Sequence, residues 1–126
     1  TRPDCIVLDE PTSMLDPLGR RRVRETIRQL NRESGLTIVL VTQSMEEAAA
    51  ADRVIALHRG RIVLEGPPKA VFAREPRLED IGLGVPASME MTALLREHGV
   101  PLETTPLNLR ELAAALKVLG PVTSVL

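Results

Sequence analysis

The chain has 126 residues, of which 44% are hydrophobic and 26% charged, and its formal net charge is −1. This composition is typical of a soluble globular protein with one domain, or one modest domain and an appendage. The near-neutral charge and an aromatic content of 1%, a single Phe72, argue against a nucleic-acid partner, because they supply neither a basic field nor rings on which bases could stack. No apolar stretch is long enough to span a membrane, and the single Cys5, expected in the core, cannot form an internal disulfide.

The first third of the sequence predicts a strand, a helix and a second strand. Residues 4–9 (DCIVLD) and 37–42 (TIVLVT) are short apolar runs of the kind found in fully buried strands. Between them, apolar residues recur at helical spacing from Leu18 to about Ser34, and Gly35 suits the end of that helix. A strand–helix–strand order of this kind predicts two parallel strands joined by a right-handed crossover.

The rest of the sequence predicts a hairpin followed by helices. Ser44 and Glu47 have the spacing of a capping box, and Arg59-Gly60 suits a two-residue hairpin turn. The expected elements are a short helix, two strands, a second short helix, an irregular Pro/Gly-rich segment and two amphipathic helices, at residues 44–51, 53–58, 61–65, 68–72, 73–86, 87–98 and 108–119. We expect one domain over residues 1–75 and a small helical extension over residues 76–126.

Polar side chains follow both predicted parallel strands at the point where each strand ends. Asp9 and Glu10 end the first strand, and Thr42 and Gln43 end the second. The carboxyl ends of parallel strands share one edge of the sheet, and ligands bind at this edge in open α/β sheets. Asp9 could hold a hydrated Mg²⁺ and Glu10 could activate a water, although an Asp-Glu-Pro turn could also simply solvate a strand end.

The string VLDEPTSMLDP, at positions 7–17, resembles the ATPase subunits of ABC transporters. The resemblance implies that Asp9 ends the Walker B strand and binds Mg²⁺, and that Glu10 is the catalytic glutamate. It identifies Ser13 to Asp16 with the D-loop, which crosses the dimer interface in that family. TIVLVTQSMEEAAAADRVIAL is similar to the family's switch region, and HRGRIVLEGPPKAVF to its closing hairpin and helix. The implied fold is part of the α/β P-loop NTPase sheet, and the implied cofactors are ATP and Mg²⁺.

The sequence departs from the family pattern in two ways. It contains no G-x-x-x-x-G-K-[ST] phosphate loop, glutamine loop or LSGGQ-type signature, all of which precede Walker B in the family. Together with the missing initiating Met, this leads us to expect the carboxyl part of a longer subunit, inactive by itself. Gln43 occupies the position of the switch histidine, which contacts the γ-phosphate. An amide there either weakens the site, because it cannot carry a proton, or is tolerated with little effect.

The tail LEDIGLGVPASMEMTALLREHGVPL, with LNLRELAAALKVL after it, is similar to the C-terminal extension of energy-coupling factor (ECF) ATPases. That resemblance implies an importer of vitamins or of cobalt or nickel ions. It also implies a second ATPase subunit, identical or different, an integral membrane subunit, and a peripheral position at the cytoplasmic face of the membrane. Two alternatives stay open: a non-catalytic dimerisation or regulatory module, and an ATPase of another ABC subfamily.

Overall fold

The computed structural model of the chain describes residues 3–120 and divides into two compact units, one ending at Gln43 and the other beginning at Ser44. The first unit contains β1, α1 and β2, at Cys5–Asp9, Pro17–Ser34 and Thr37–Val41. The second contains α2, β3, β4, α3, α4, α5 and α6, at Met45–Ala49, Val54–His58, Arg61–Gly66, Pro68–Phe72, Glu75–Asp80, Ala87–Glu97 and Leu109–Val118. This α/β organisation confirms the predicted fold class.

The first unit is a strand–helix–strand motif with parallel strands. β1 and β2 pair in parallel, with a register that runs from Cys5 opposite Thr37 to Asp9 opposite Val41. The connecting helix α1 ends at Gly35, whose φ of 61° is the left-handed conformation that glycine adopts without a steric cost. The parallel pairing and the helix end both agree with the prediction from the sequence.

The prediction that the strands of this unit are fully buried was wrong. Exposed and half-buried residues alternate along β1 and β2, and no residue of α1 is buried. Val7, Val39 and Val41 are 65%, 45% and 48% exposed, so one face of the two-stranded sheet is open in this unit. Cys5, expected in the core, is exposed as well. A single helix covers one face of a sheet at most, which explains the alternation.

The second unit is built around the hairpin of β3 and β4. These strands pair antiparallel, with an irregularity between Ala56 and Leu57. The turn is the predicted Arg59-Gly60, and both residues have positive φ, 49° and 75°, as a two-residue hairpin turn requires. The core of this unit consists of buried side chains from the hairpin, from α3 and α4, and from the loop before α5: Ala56, Leu64, Val71, Phe72, Leu78 and Val85.

The segment predicted to be irregular, residues 73–86, contains the short helix α4. Pro76 lies in the first turn of that helix, where its missing N–H has no cost, and Leu78 is 1% exposed in the core. Burial of Leu78 and Val85 thus orders a segment whose Pro and Gly content indicates a loop. The core contains residues from both sides of position 75, and the division into domains 1–75 and 76–126 stays a prediction.

Two buried or partly buried bonds join α5 to the loop that leads into α6. Ser88 Oγ donates to the carbonyl oxygen of Pro106 at 2.9 Å, and Arg96 Nε donates to that of Leu102 at 2.8 Å. Asn108 then caps α6 by accepting from the N–H of Glu111 at 2.8 Å. These contacts hold the loop between α5 and α6 in an ordered conformation.

Candidate functional site

The candidate site is at the carboxyl edge of the β1–β2 pair. Asp9 is opposite Val41, and the backbone N–H of Glu10 donates to the carbonyl oxygen of Val41 at 2.8 Å. This bond carries the parallel pairing one residue beyond β1. Since Thr42 and Gln43 follow Val41 directly, the structure brings the ends of both strands to one edge, as the sequence predicts.

Glu10 has a left-handed backbone, with a φ of 46°. This conformation costs a residue other than glycine about 1–2 kcal/mol, because Cβ approaches the following carbonyl oxygen. Two bonds from Ser13 support it: the Ser13 N–H and Oγ donate to the Glu10 carbonyl oxygen at 3.3 and 3.1 Å. The Glu10 side chain is half-buried, whereas the neighbouring Asp9 side chain is exposed.

Ser13 and Asp16, the predicted D-loop residues, both have local structural roles. Ser13 supports the turn at Glu10, and Asp16 caps α1 by accepting from the N–H of Gly19 at 2.8 Å. A Cβ atom added to Gly19 would lie 2.8 Å from Asp16 Oδ1, so a larger residue at this position would require the Asp16 side chain to shift. We missed this cap in the sequence, although an Asp before a Pro that begins a helix is its usual signal.

Gln43 is exposed and is followed directly by the start of α2. Ser44 caps that helix, with its Oγ accepting from the N–H of Glu47 at 3.3 Å. This bond confirms the serine half of the predicted capping box. The start of α2 therefore helps to set the conformation of the chain just after Gln43.

The described residues contain no group of three or more His, Cys, Asp or Glu side chains that could hold a metal ion. Asp9 is thus a single exposed carboxylate at a strand end. Mg²⁺ commonly binds in this way, through one or two carboxylates, several waters and the phosphates of a substrate. The donor set fits Mg²⁺ bound together with a nucleotide, and does not form a closed metal site.

Known proteins resemble this chain closely in sequence. It is 47% identical, over 91% of its length, to the Energy-coupling factor transporter ATP-binding protein EcfA1 of Clostridium perfringens, and 49% identical, over 88%, to that of Caldanaerobacter subterraneus. By sequence, the chain belongs to the family of energy-coupling factor transporter ATP-binding proteins. It spans 41% and 40% of the lengths of these two relatives, so their resemblance covers less than half of each. No protein-family model matches the chain.

A solved structure supports membership of the ABC ATPases. The structure of cbiO1 from Clostridium perfringens, described as part of the ABC transporter complex cbiONQ, matches this ECF-family chain with a TM-score of 0.52 and 32% sequence identity. The match covers 63% of this chain and 32% of the other. The mixed α/β structure, with a parallel strand pair and an antiparallel hairpin, is therefore part of an ABC ATPase fold. Between residues 3 and 120, no helix is long and apolar enough to cross a membrane.

Proposed function

We propose that this chain is the water-activating and phosphate-contacting part of an ATPase subunit that energises an ECF importer. One structural observation carries the proposal. The parallel register, continued by the bond from Glu10 N–H to Val41, brings Asp9, Glu10 and Gln43 to one sheet edge. The sequence identity of 47% to an ECF transporter ATP-binding protein supports the same assignment.

Each residue at this edge then has a distinct role. Asp9 binds Mg²⁺ through water, and Glu10 accepts a proton from the attacking water. Mg²⁺ supplies charge neutralisation at the ATP phosphates when it is bound. A positioned general base of this type contributes about 10²–10⁴-fold to a rate. Ser13 supports the backbone turn at Glu10, the residue that we assign as the base.

Gln43 donates a hydrogen bond from its amide to the γ-phosphate. Removing one preorganised donor from such a site costs about 10²–10³-fold, and replacing a charged donor by a neutral one costs less. We therefore expect a slow ATPase rather than an inactive one. Asp16, at the start of α1, couples the site to that of a second ATPase subunit across the dimer interface.

The proposed importer carries vitamins or transition-metal ions. Its ATPase subunits are peripheral at the cytoplasmic face and act on an integral membrane subunit. The relative of known structure is described as part of a transporter complex, which supports a membrane partner of this kind. Gln43, an amide at the position of the family's switch histidine, also suits a second possibility, a non-catalytic dimerisation or regulatory subunit that binds ATP and closes the dimer without hydrolysing it.

The test uses the full-length protein that carries this chain. The unmodified protein should hydrolyse ATP in a Mg²⁺-dependent manner, and Glu10→Gln should abolish turnover while ATP binding remains. Asp9→Asn should weaken nucleotide binding only when Mg²⁺ is present. ATP binding with no turnover in the unmodified protein would support the non-catalytic dimerisation role instead. Failure to bind ATP would contradict both possibilities.

A further inference from the structure

A carboxylate in α2 accepts a hydrogen bond from the first residue of α5. Glu46 Oε1, in the first turn of α2, accepts from the backbone N–H of Ala87 at 3.1 Å. Ala87 is the first residue of α5, and the residue before it, Pro86, has no side-chain acceptor that could cap the helix. Glu46 therefore provides the missing cap from a distant part of the sequence.

The bond is chemically favourable. The first N–H groups of a helix have no partner within the helix, and its N-terminus attracts negative charge. Hydrogen bonds to an ionised carboxylate are stronger than those between neutral groups. Glu46 thus satisfies an N–H that the sequence around α5 leaves without a local side-chain acceptor.

The same helix packs against the core that the extension shares. Met45, Ala48 and Ala49 of α2 contact the cluster that includes Leu78 and Val85, two residues that precede α5. α2 has only five residues, so its position depends on these contacts rather than on its own hydrogen bonds. Its first residue follows Ser44, which is joined directly to Gln43.

We propose that Glu46 is a positioning residue for the ATPase reaction, one that ties the backbone after Gln43 to the first turn of α5. This inference rests on the proposed function, because it assumes that Gln43 contacts the γ-phosphate. The position of the helical extension then affects the rate of hydrolysis through Glu46. Glu46 itself does not touch the nucleotide in this scheme.

Two substitutions remove the same bond from opposite sides. Glu46→Ala removes the acceptor. Ala87→Pro removes only the donor, because proline is favoured at the first position of a helix and Pro86 already has the extended backbone, φ −55° and ψ 146°, that a following proline requires. If Ala87 contributed only to the stability of α5, Ala87→Pro would leave kcat unchanged.

In the full-length protein, each variant should lower kcat for ATP hydrolysis by about two- to tenfold, the range that loss of one hydrogen bond implies. KM for ATP should change by less than about twofold, because only the transition-state geometry is disturbed. The double variant should be no slower than either single one, since the bond can be lost only once.

Two control variants keep the reasoning specific to this bond. Glu46→Gln, which keeps an oxygen acceptor, should retain most of kcat. Glu90→Ala, which removes an exposed carboxylate from the first turn of α5, is the matched control and should leave kcat unchanged.

The possible results separate the two proposals. If the unmodified protein hydrolyses ATP and either Glu46→Ala or Ala87→Pro retains its kcat, the positioning role is wrong while the ATPase assignment stands. Multiplying effects in the double variant would also contradict a shared bond. If the unmodified protein does not hydrolyse ATP, the ATPase assignment fails and the positioning role fails with it.

Discussion

The left-handed backbone of Glu10 predicts that replacing this residue by glycine stabilises the β1–β2 pair. A residue with a Cβ at a φ of 46° carries a cost of about 1–2 kcal/mol, which glycine does not have. Glycine also makes the unfolded chain more flexible, which offsets about 0.4–1 kcal/mol of that gain. We therefore expect Glu10→Gly to stabilise the β1–β2 pair by about 0.5–1 kcal/mol, even though it removes the proposed catalytic base.

Native-state hydrogen exchange of the β1 and β2 amides measures this gain locally, without requiring a single cooperative transition. Protection should rise about two- to fivefold, and ATP turnover of the full-length protein should be lost. Arg59→Gly is the matched control, because Arg59 is the other non-glycine residue with a positive φ in the described part of the chain, at 49°. It should raise protection in the β3–β4 hairpin and leave β1 and β2 unchanged. If Arg59→Gly stabilises its hairpin and Glu10→Gly does not stabilise β1–β2, the strain is not at Glu10.

Other predictions test the site and the packing. In the full-length protein, Gln43→His should raise ATP turnover by up to about 100-fold by restoring a chargeable donor; an unchanged rate would show that the amide does not weaken the site. Phe72→Ala should destabilise the hairpin unit by about 3–5 kcal/mol in hydrogen exchange, because Phe72 is 1% exposed, whereas Ile62→Ala, at a position 58% exposed, should have little effect. The isolated chain should melt without a sharp transition, because the open β1–β2 face leaves apolar area worth about 25 cal/mol per Å² in water, and a sharp cooperative melt would contradict this.

The strands, the hairpin turn and the cap at Ser44 were predictable because each depends on residues close together in sequence, and the parallel pairing followed from the strand–helix–strand order. Apolar runs define the strands, and Arg59-Gly60 defines the turn. Burial was not predictable in the same way. An apolar run such as CIVLD is equally compatible with one covered face or two, and only the number of packed layers decides between them.

Two features of the site were missed for a related reason. The bond from Ala87 to Glu46 joins residues that are far apart in sequence, and no local pattern marks such a cap. The left-handed φ of Glu10 was also unexpected, because Glu has no preference for that conformation. Asp9 and Gln43, in contrast, were brought to one edge by strand order alone.

Glu10 and Arg59 share a backbone conformation but not the reason for it. At Arg59 the two-residue turn requires a positive φ, and the side chain has no further constraint that we identify. Glu10 adopts the same φ immediately after a parallel strand, where glycine or asparagine would be the less strained choice. The turn is supported by Ser13, and it directs the chain away from the strand just after the exposed Asp9.

A chemical role for Glu10 would explain why a carboxylate residue occupies a backbone conformation that favours glycine. Backbone strain is concentrated at functional sites in proteins generally. The strain at Glu10 thus supports its assignment as the general base independently of the sequence resemblance.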